Sequence, residues 1–163
     1  MVSPRLRHAV PLPIPIDYTR LRQVLAIKIV VTLAVWALPA LLLPPPWFAT
    51  LGIPEPPLEQ LVFLRLLGAA YLALVVGYAL AWRAPARHPG AVVVGIVSNG
   101  LAALVILSVG ASGGFDTWTM LGNLYIWTSA LLAAGLAVAL GKTGQPLLRR
   151  MADRPRPGSV KIM

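Results

Sequence analysis

The chain has 163 residues, of which 58% are hydrophobic and 12% charged, with a mean hydropathy of +0.77. A water-soluble domain carries about 25% charge, so a soluble fold is excluded. The net charge of +9 would suggest nucleic acid for a soluble protein, but the basic residues here flank apolar runs, which makes anionic lipid the expected partner and nucleic acid not one. Cysteine is absent, which removes disulfides, thiol catalysis and Cys-ligated metals and leaves the redox compartment open.

Four apolar runs cover residues 24–43, 61–82, 91–110 and 118–140. At a rise of roughly 1.5 Å per residue, each can cross a hydrocarbon core of roughly 30 Å. The fold class they predict is all-α, an integral membrane four-helix bundle, with residues 1–23 as an N-terminal segment and 141–163 as a basic tail without a fold of its own. Of the 14 Lys and Arg, all but Lys28 and Arg65 fall in alternate gaps: the N-terminal segment, residues 83–90 and the tail. The gaps 44–60 and 111–117 hold Glu55, Glu59 and Asp116 but no basic residue. By the positive-inside rule both termini are cytoplasmic. The first run exceeds the usual apolar core of a signal peptide, about 7–15 residues, and reads as an uncleaved anchor.

In chain order, Pro4, Pro11, Pro13 and Pro15 make residues 1–16 irregular, and Asp17 or Thr19 can cap the helix that follows. Lys28 lies about one turn inside the first run and reads as a side chain that snorkels to the headgroups. Pro39 should kink the outer end of that helix. The gap after it, Pro44-Pro45-Pro46-Trp47-Phe48 followed by Leu51-Gly52-Ile53-Pro54, reads as a loop that lies on the outer leaflet or caps the bundle. Ala69, Ala73, Gly77 and Ala81 in the second run, and Ser129, Ala133, Ala137 and Gly141 in the fourth, are small residues at every fourth position. They are expected to pack the bundle, with self-association as the alternative. In the tail, Leu147, Leu148 and Met151 can dip into the interface. Lys142, Arg149 and Arg150, with Arg20, Arg22, Arg83 and Arg87, are the expected contacts to anionic lipid.

Arg65 draws attention because a guanidinium inside the outer end of a span stays charged and needs acceptors or water. Asp116, Asn123, Asn99, Tyr71 and Tyr125 fall in the same outer half. Together they form either a polar pocket for an anionic headgroup, a carboxylate or a quinone carbonyl, or a clamp from Arg65 to Asp116, Asn123 or a backbone carbonyl. His8 and His88 lack metal-ligand spacing, and no metal site is expected. Gly141-Lys142-Thr143 lacks the earlier glycine of a phosphate loop, since Leu136 stands there. Ser98, Ser108 and Ser129 have no histidine base at membrane depth. No catalytic residue is assigned.

Leu51-Gly52-Ile53-Pro54, Phe63-Leu64-Arg65-Leu66-Leu67-Gly68-Ala69-Ala70-Tyr71 and Gly95-Ile96-Val97-Ser98-Asn99-Gly100 resemble small bacterial four-span membrane proteins of the DoxX-like kind, in which an Arg-x-x-Gly segment opens the second helix. The resemblance spans residues 47–140 and implies a four-helix bundle in the bacterial inner membrane. It implies a small accessory subunit, some relatives being linked to quinone-dependent oxidation, and it carries over no cofactor ligand. Three function classes follow. The first is a non-enzymatic accessory or partner-binding protein, alone or as a homo-oligomer. The second is a quinone- or lipid-interacting component of a membrane redox system. The third is a small transporter or channel, which needs oligomerisation because one four-helix bundle has little interior.

Overall fold

The computed structural model describes residues 17–153, so the irregular segment expected over 1–16 and the tail residues 154–163 lie outside the described residues. Four helices are long and apolar enough to cross a membrane: α1 Thr19–Leu42, α2 Leu58–Arg83, α3 Pro89–Ala111 and α4 Met120–Ala152. No strand occurs among the described residues. Successive helices run antiparallel around a ring. α1 packs closely with α2 and α3 with α4, which makes two hairpins, and α2 and α3 are the loosest neighbours in the ring.

Helix ends follow from local chemistry. Before α1, the hydroxyl and amide of Thr19 donate to the Asp17 carboxylate at 2.6 and 2.8 Å. These bonds, the side-chain one foremost, hold the Asp17 carboxyl below the usual aspartate value of 3.8. The α2 start places Glu59 in the first turn, near the positive end of the helix dipole. Pro89 opens α3, where a missing N–H costs nothing. Thr119 caps α4 by accepting from the Gly122 amide at 3.2 Å.

α1 is not uniform. Over Thr32–Ala37 it widens to i→i+5 hydrogen bonding before resuming as Leu38–Leu42. Pro39 accounts for the irregularity, since it has no N–H for the Val35 carbonyl four residues back. The Tyr125 hydroxyl on α4 donates to that oxygen at 2.7 Å. The distortion expected at Pro39 thus spreads through the preceding turn and is tied to another helix.

The α1–α2 and α3–α4 connections are joined. Trp47–Thr50 forms one helical turn with Phe48 buried beneath it. The Thr119 amide donates to Leu51 O at 3.2 Å and its hydroxyl to Thr50 O at 2.9 Å. Gly52 adopts φ +76°, and a Cβ on Gly122 would lie 2.2 Å from Leu51 O, so both glycines are required by this close approach. The α1–α2 connection therefore caps this end of the bundle.

The half of the bundle at the opposite end, where α1 starts and α4 finishes, holds the main core: Leu21, Leu25, Tyr78, Ala81, Val92, Leu140 and Leu147. Leu147 corrects the expected domain limit. The tail was to begin at residue 141, yet α4 continues to Ala152 with Pro146 inside it, because Gly144 and Leu147 are buried against the other helices. The small-residue stripes also differ from expectation. Ser129 and Ala133 on α4 are buried, as is Ala81 on α2, but Ala69 and Ala73 face outward, and Gly68 and Tyr78 join Ala81 on the buried face.

Candidate functional site

Arg65 finds its partners in the backbone. Its two terminal nitrogens donate to Ala40 O at 2.8 Å and Leu43 O at 2.7 Å. The reason lies in the Pro44-Pro45-Pro46 run: an ordinary helix would satisfy Ala40 O with the amide of residue 44, and proline has none. The guanidinium therefore completes the C-terminal end of α1, where a cation also suits the helix dipole. Arg65 thus takes the backbone-carbonyl alternative and clamps α1 to α2; the expected link to α4 through Asp116 or Asn123 is not made. Asp116 is exposed in the α3–α4 connection. Asn123 spends its amide on the Phe115, Trp118 and Thr119 carbonyls, at 3.3, 3.1 and 3.3 Å. These three residues do not form one pocket.

The polar group that does occupy the bundle interior is Lys28, only 3% exposed. The expected snorkelling is overturned by helix length and by the face it occupies. α1 starts at Thr19, so Lys28 sits about 14 Å along it at helical rise. It shares a face with the buried Leu21, Leu25 and Thr32. Lys28 Nζ donates to Asn99 Oδ1 at 2.7 Å, across the bundle from α1 to α3. Asn99 Nδ2 donates to Gly95 O at 2.7 Å, which orients the oxygen toward the lysine. Nζ also lies 4.9 Å from the ring centre of Trp36 and 5.1 Å from that of Tyr78, within cation–π range. Trp36 reaches this point from the widened segment of α1 and stacks with Tyr71 at a ring separation of 6.3 Å.

Lys28 opens into a cleft. An inner cavity of about 80 Å³ is lined by Lys28, Trp36, Tyr71, Leu74, Ser98, Asn99 and Ala102. At about 30 Å³ per water it holds two or three water-sized groups. A larger groove of about 360 Å³ shares Trp36, Tyr71 and Ala102 with it. Its further walls are apolar residues of α3 and α4, among them Leu101, Val105, Ile106 and Ile126, together with Tyr125 and Ser129. Ser129 Oγ is 2% exposed and approaches the Tyr125 hydroxyl without completing a hydrogen bond. The Tyr78 hydroxyl and Ser98 Oγ form a longer contact of 3.4 Å beside the lysine.

Of the residues singled out from sequence, Asn99, Tyr71 and Tyr125 meet at this cleft, while Arg65, Asp116 and Asn123 serve the end capped by the α1–α2 connection. Lys28, Trp36, Tyr78 and Ser129 complete it, and the sequence reading gave none of them a binding role. Arg20, Arg22, Arg83, Arg87, Lys142, Arg149 and Arg150 are all exposed, and their helix ends share one side of the bundle. Arg22 additionally donates to Arg83 O at 3.3 Å. No group of three or more His, Cys, Asp or Glu that could hold a metal occurs among the described residues. Comparison with protein-family models, with curated proteins and with solved structures finds no match for the chain.

Proposed function

We propose that the protein is a non-enzymatic component of a bacterial inner membrane, with both termini cytoplasmic, whose role is to bind a membrane-dissolved ligand between its two hairpins as an accessory module. The observation that carries this reading is Lys28, buried at mid-helix against Asn99 at the end of a cleft. An ionisable group at membrane depth costs at least about 2.5 kcal/mol on insertion scales and marks a functional site by default. A bundle needing only mechanical strength is served as well by a leucine there. The basic collar at one end supports the cytoplasmic placement of the termini and contact with anionic lipid.

A second reading, a quinone-binding component of a membrane redox system, is favoured by the aromatic walls of the cleft. Trp36 and Tyr71 can flank a flat ring, and Lys28 can donate to its carbonyl. The resemblance to DoxX-like proteins points the same way.

One experiment tests the proposal. Native protein and the Lys28→Met variant are purified in mild detergent, and co-purifying proteins, lipids and quinones are identified. A lipid or quinone retained by the native chain and lost from the variant is the expected result. Identical contents in both would remove the binding role. Reporter fusions after Ala84 and Lys142 should read cytoplasmic, and those near Glu55 and Gly113 external. A C-terminus on the outer side would overturn the orientation.

A further inference from the structure

We infer that the ligand of this cleft is a single-chain amphiphile with a carboxylate-sized anionic head, seated with the head against Lys28 and the chain along α3 and α4. The inference rests on the ligand-binding reading above and adds the ligand's chemical class.

Charge comes first. The chain has five acidic side chains, Asp17, Glu55, Glu59, Asp116 and Asp153, and every one lies in a connection or in the terminal turns of a helix. None is placed to neutralise an ammonium at mid-bilayer, where an unpaired charge is costly. Donor accounting agrees. An ammonium has three N–H groups. One goes to Asn99 Oδ1, and the Trp36 and Tyr78 rings attract the cation without providing an oxygen acceptor. A carboxylate in the inner cavity supplies both the charge and the acceptors. A neutral quinone carbonyl supplies an acceptor and leaves the charge uncompensated.

Size and polarity select the rest. The inner cavity of about 80 Å³ admits a carboxylate. The adjoining groove of about 360 Å³ falls within the range of small-molecule sites, and its walls are mainly apolar. Ser129 adds a buried hydroxyl on the groove wall beside the Tyr125 hydroxyl, which is itself committed to Val35 O. Entry is lateral: Leu101 and Val105, on the groove rim, are 58% and 60% exposed, so the groove opens where acyl chains lie.

The test uses full-length protein, stripped of lipid in detergent, with thermal unfolding followed by tryptophan fluorescence. Three probes are compared: palmitate above its carboxylate pKa, its methyl ester, and a short-tailed ubiquinone. Palmitate should raise the melting temperature saturably, since a ligand stabilises the state it binds. The ester and the quinone should not. Lys28→Met should weaken palmitate binding roughly tenfold or more, as expected for loss of a charge-assisted hydrogen bond. Ala102→Phe, which fills the junction of the two spaces and keeps the lysine, should abolish the response, and it decides the matter if Lys28→Met does not fold. Equal stabilisation by the ester or the quinone, lost in Ala102→Phe, would overturn the anionic head and leave ligand binding intact. A palmitate response that survives both variants would place the binding elsewhere and overturn the inference. No response to any probe, with no amphiphile co-purifying, would overturn both readings.

Discussion

The two hairpins are held together in different ways. α1 and α2 exchange arginines: Arg22 near the start of α1 donates to the last carbonyl of α2, and Arg65 donates to the last carbonyls of α1. α3 and α4 rely on close packing of small residues. A Cβ on Gly95 would lie 2.8 Å from Leu140, one on Gly110 2.6 Å from Trp127, and one on Gly144 2.8 Å from Val92. The difference traces to proline. α1 contains Pro39 and ends in Pro44-Pro45-Pro46, so it carries carbonyls that its own backbone cannot satisfy. Polar side chains from α2 and α4 repair it. The α3–α4 hairpin has a single proline inside a helix, Pro146, and is held by close packing of shape.

Substitutions can break or sharpen this contrast. The largest effect is expected where the hairpins meet. Asn99→Leu leaves the Lys28 ammonium without its oxygen and should cost about 3 kcal/mol in thermal or denaturant unfolding. The Lys28→Met/Asn99→Leu double variant should recover most of that loss, because replacing both partners of a buried polar pair is far less costly than removing one. A double variant no more stable than Asn99→Leu would show that the ammonium was not the source of the cost.

Within the arginine-linked hairpin, Arg65→Ala should lower stability by about 2 kcal/mol, since two carbonyls lose charge-assisted bonds. Arg22→Ala, which removes one exposed bond of 3.3 Å, should cost less than about 1 kcal/mol. Adding Pro44→Ala to Arg65→Ala returns an amide to Ala40 O and should restore part of the loss. A lack of rescue would refute the account of Arg65 as a substitute for the missing amide.

Where the α1–α2 connection meets α4, Gly122→Ala should cost about 1–2 kcal/mol, because its Cβ would run into the Leu51 carbonyl. Gly77→Ala on α2 meets nothing within 4 Å and should leave stability unchanged or raise it by at most about 1 kcal/mol. Equal losses at the two sites would erase the distinction between an interface glycine and an outward one.

The four helices were legible because runs of this length and apolarity have few alternatives in a bilayer. The interior was less so. In a membrane helix the lipid-facing side is as apolar as the packed side, so periodicity does not mark the core. Lys28 sits in register with Leu21 and Leu25, but that signal is hidden by apolar residues on every face of α1. Its depth was underestimated because the polar turn Thr19–Gln23 is helical and was placed outside the span. A backbone carbonyl is among the partners the sequence suggests for Arg65, and the prolines at 44–46 point to which carbonyls need donors. Ala69 and Ala73 satisfied the spacing rule for helix packing and yet face outward, since that rule fixes a stripe and not the side it presents.

The Arg65 clamp bears on how the protein is made. Released alone into lipid, α1 would carry Ala40 and Leu43 carbonyls whose donors belong to a segment emerging later from the ribosome. A bilayer core offers no water to satisfy them. That end of α1 is therefore completed only when α2 packs against it. A chain that ends short of Arg65 should leave that end of α1 without its two donors.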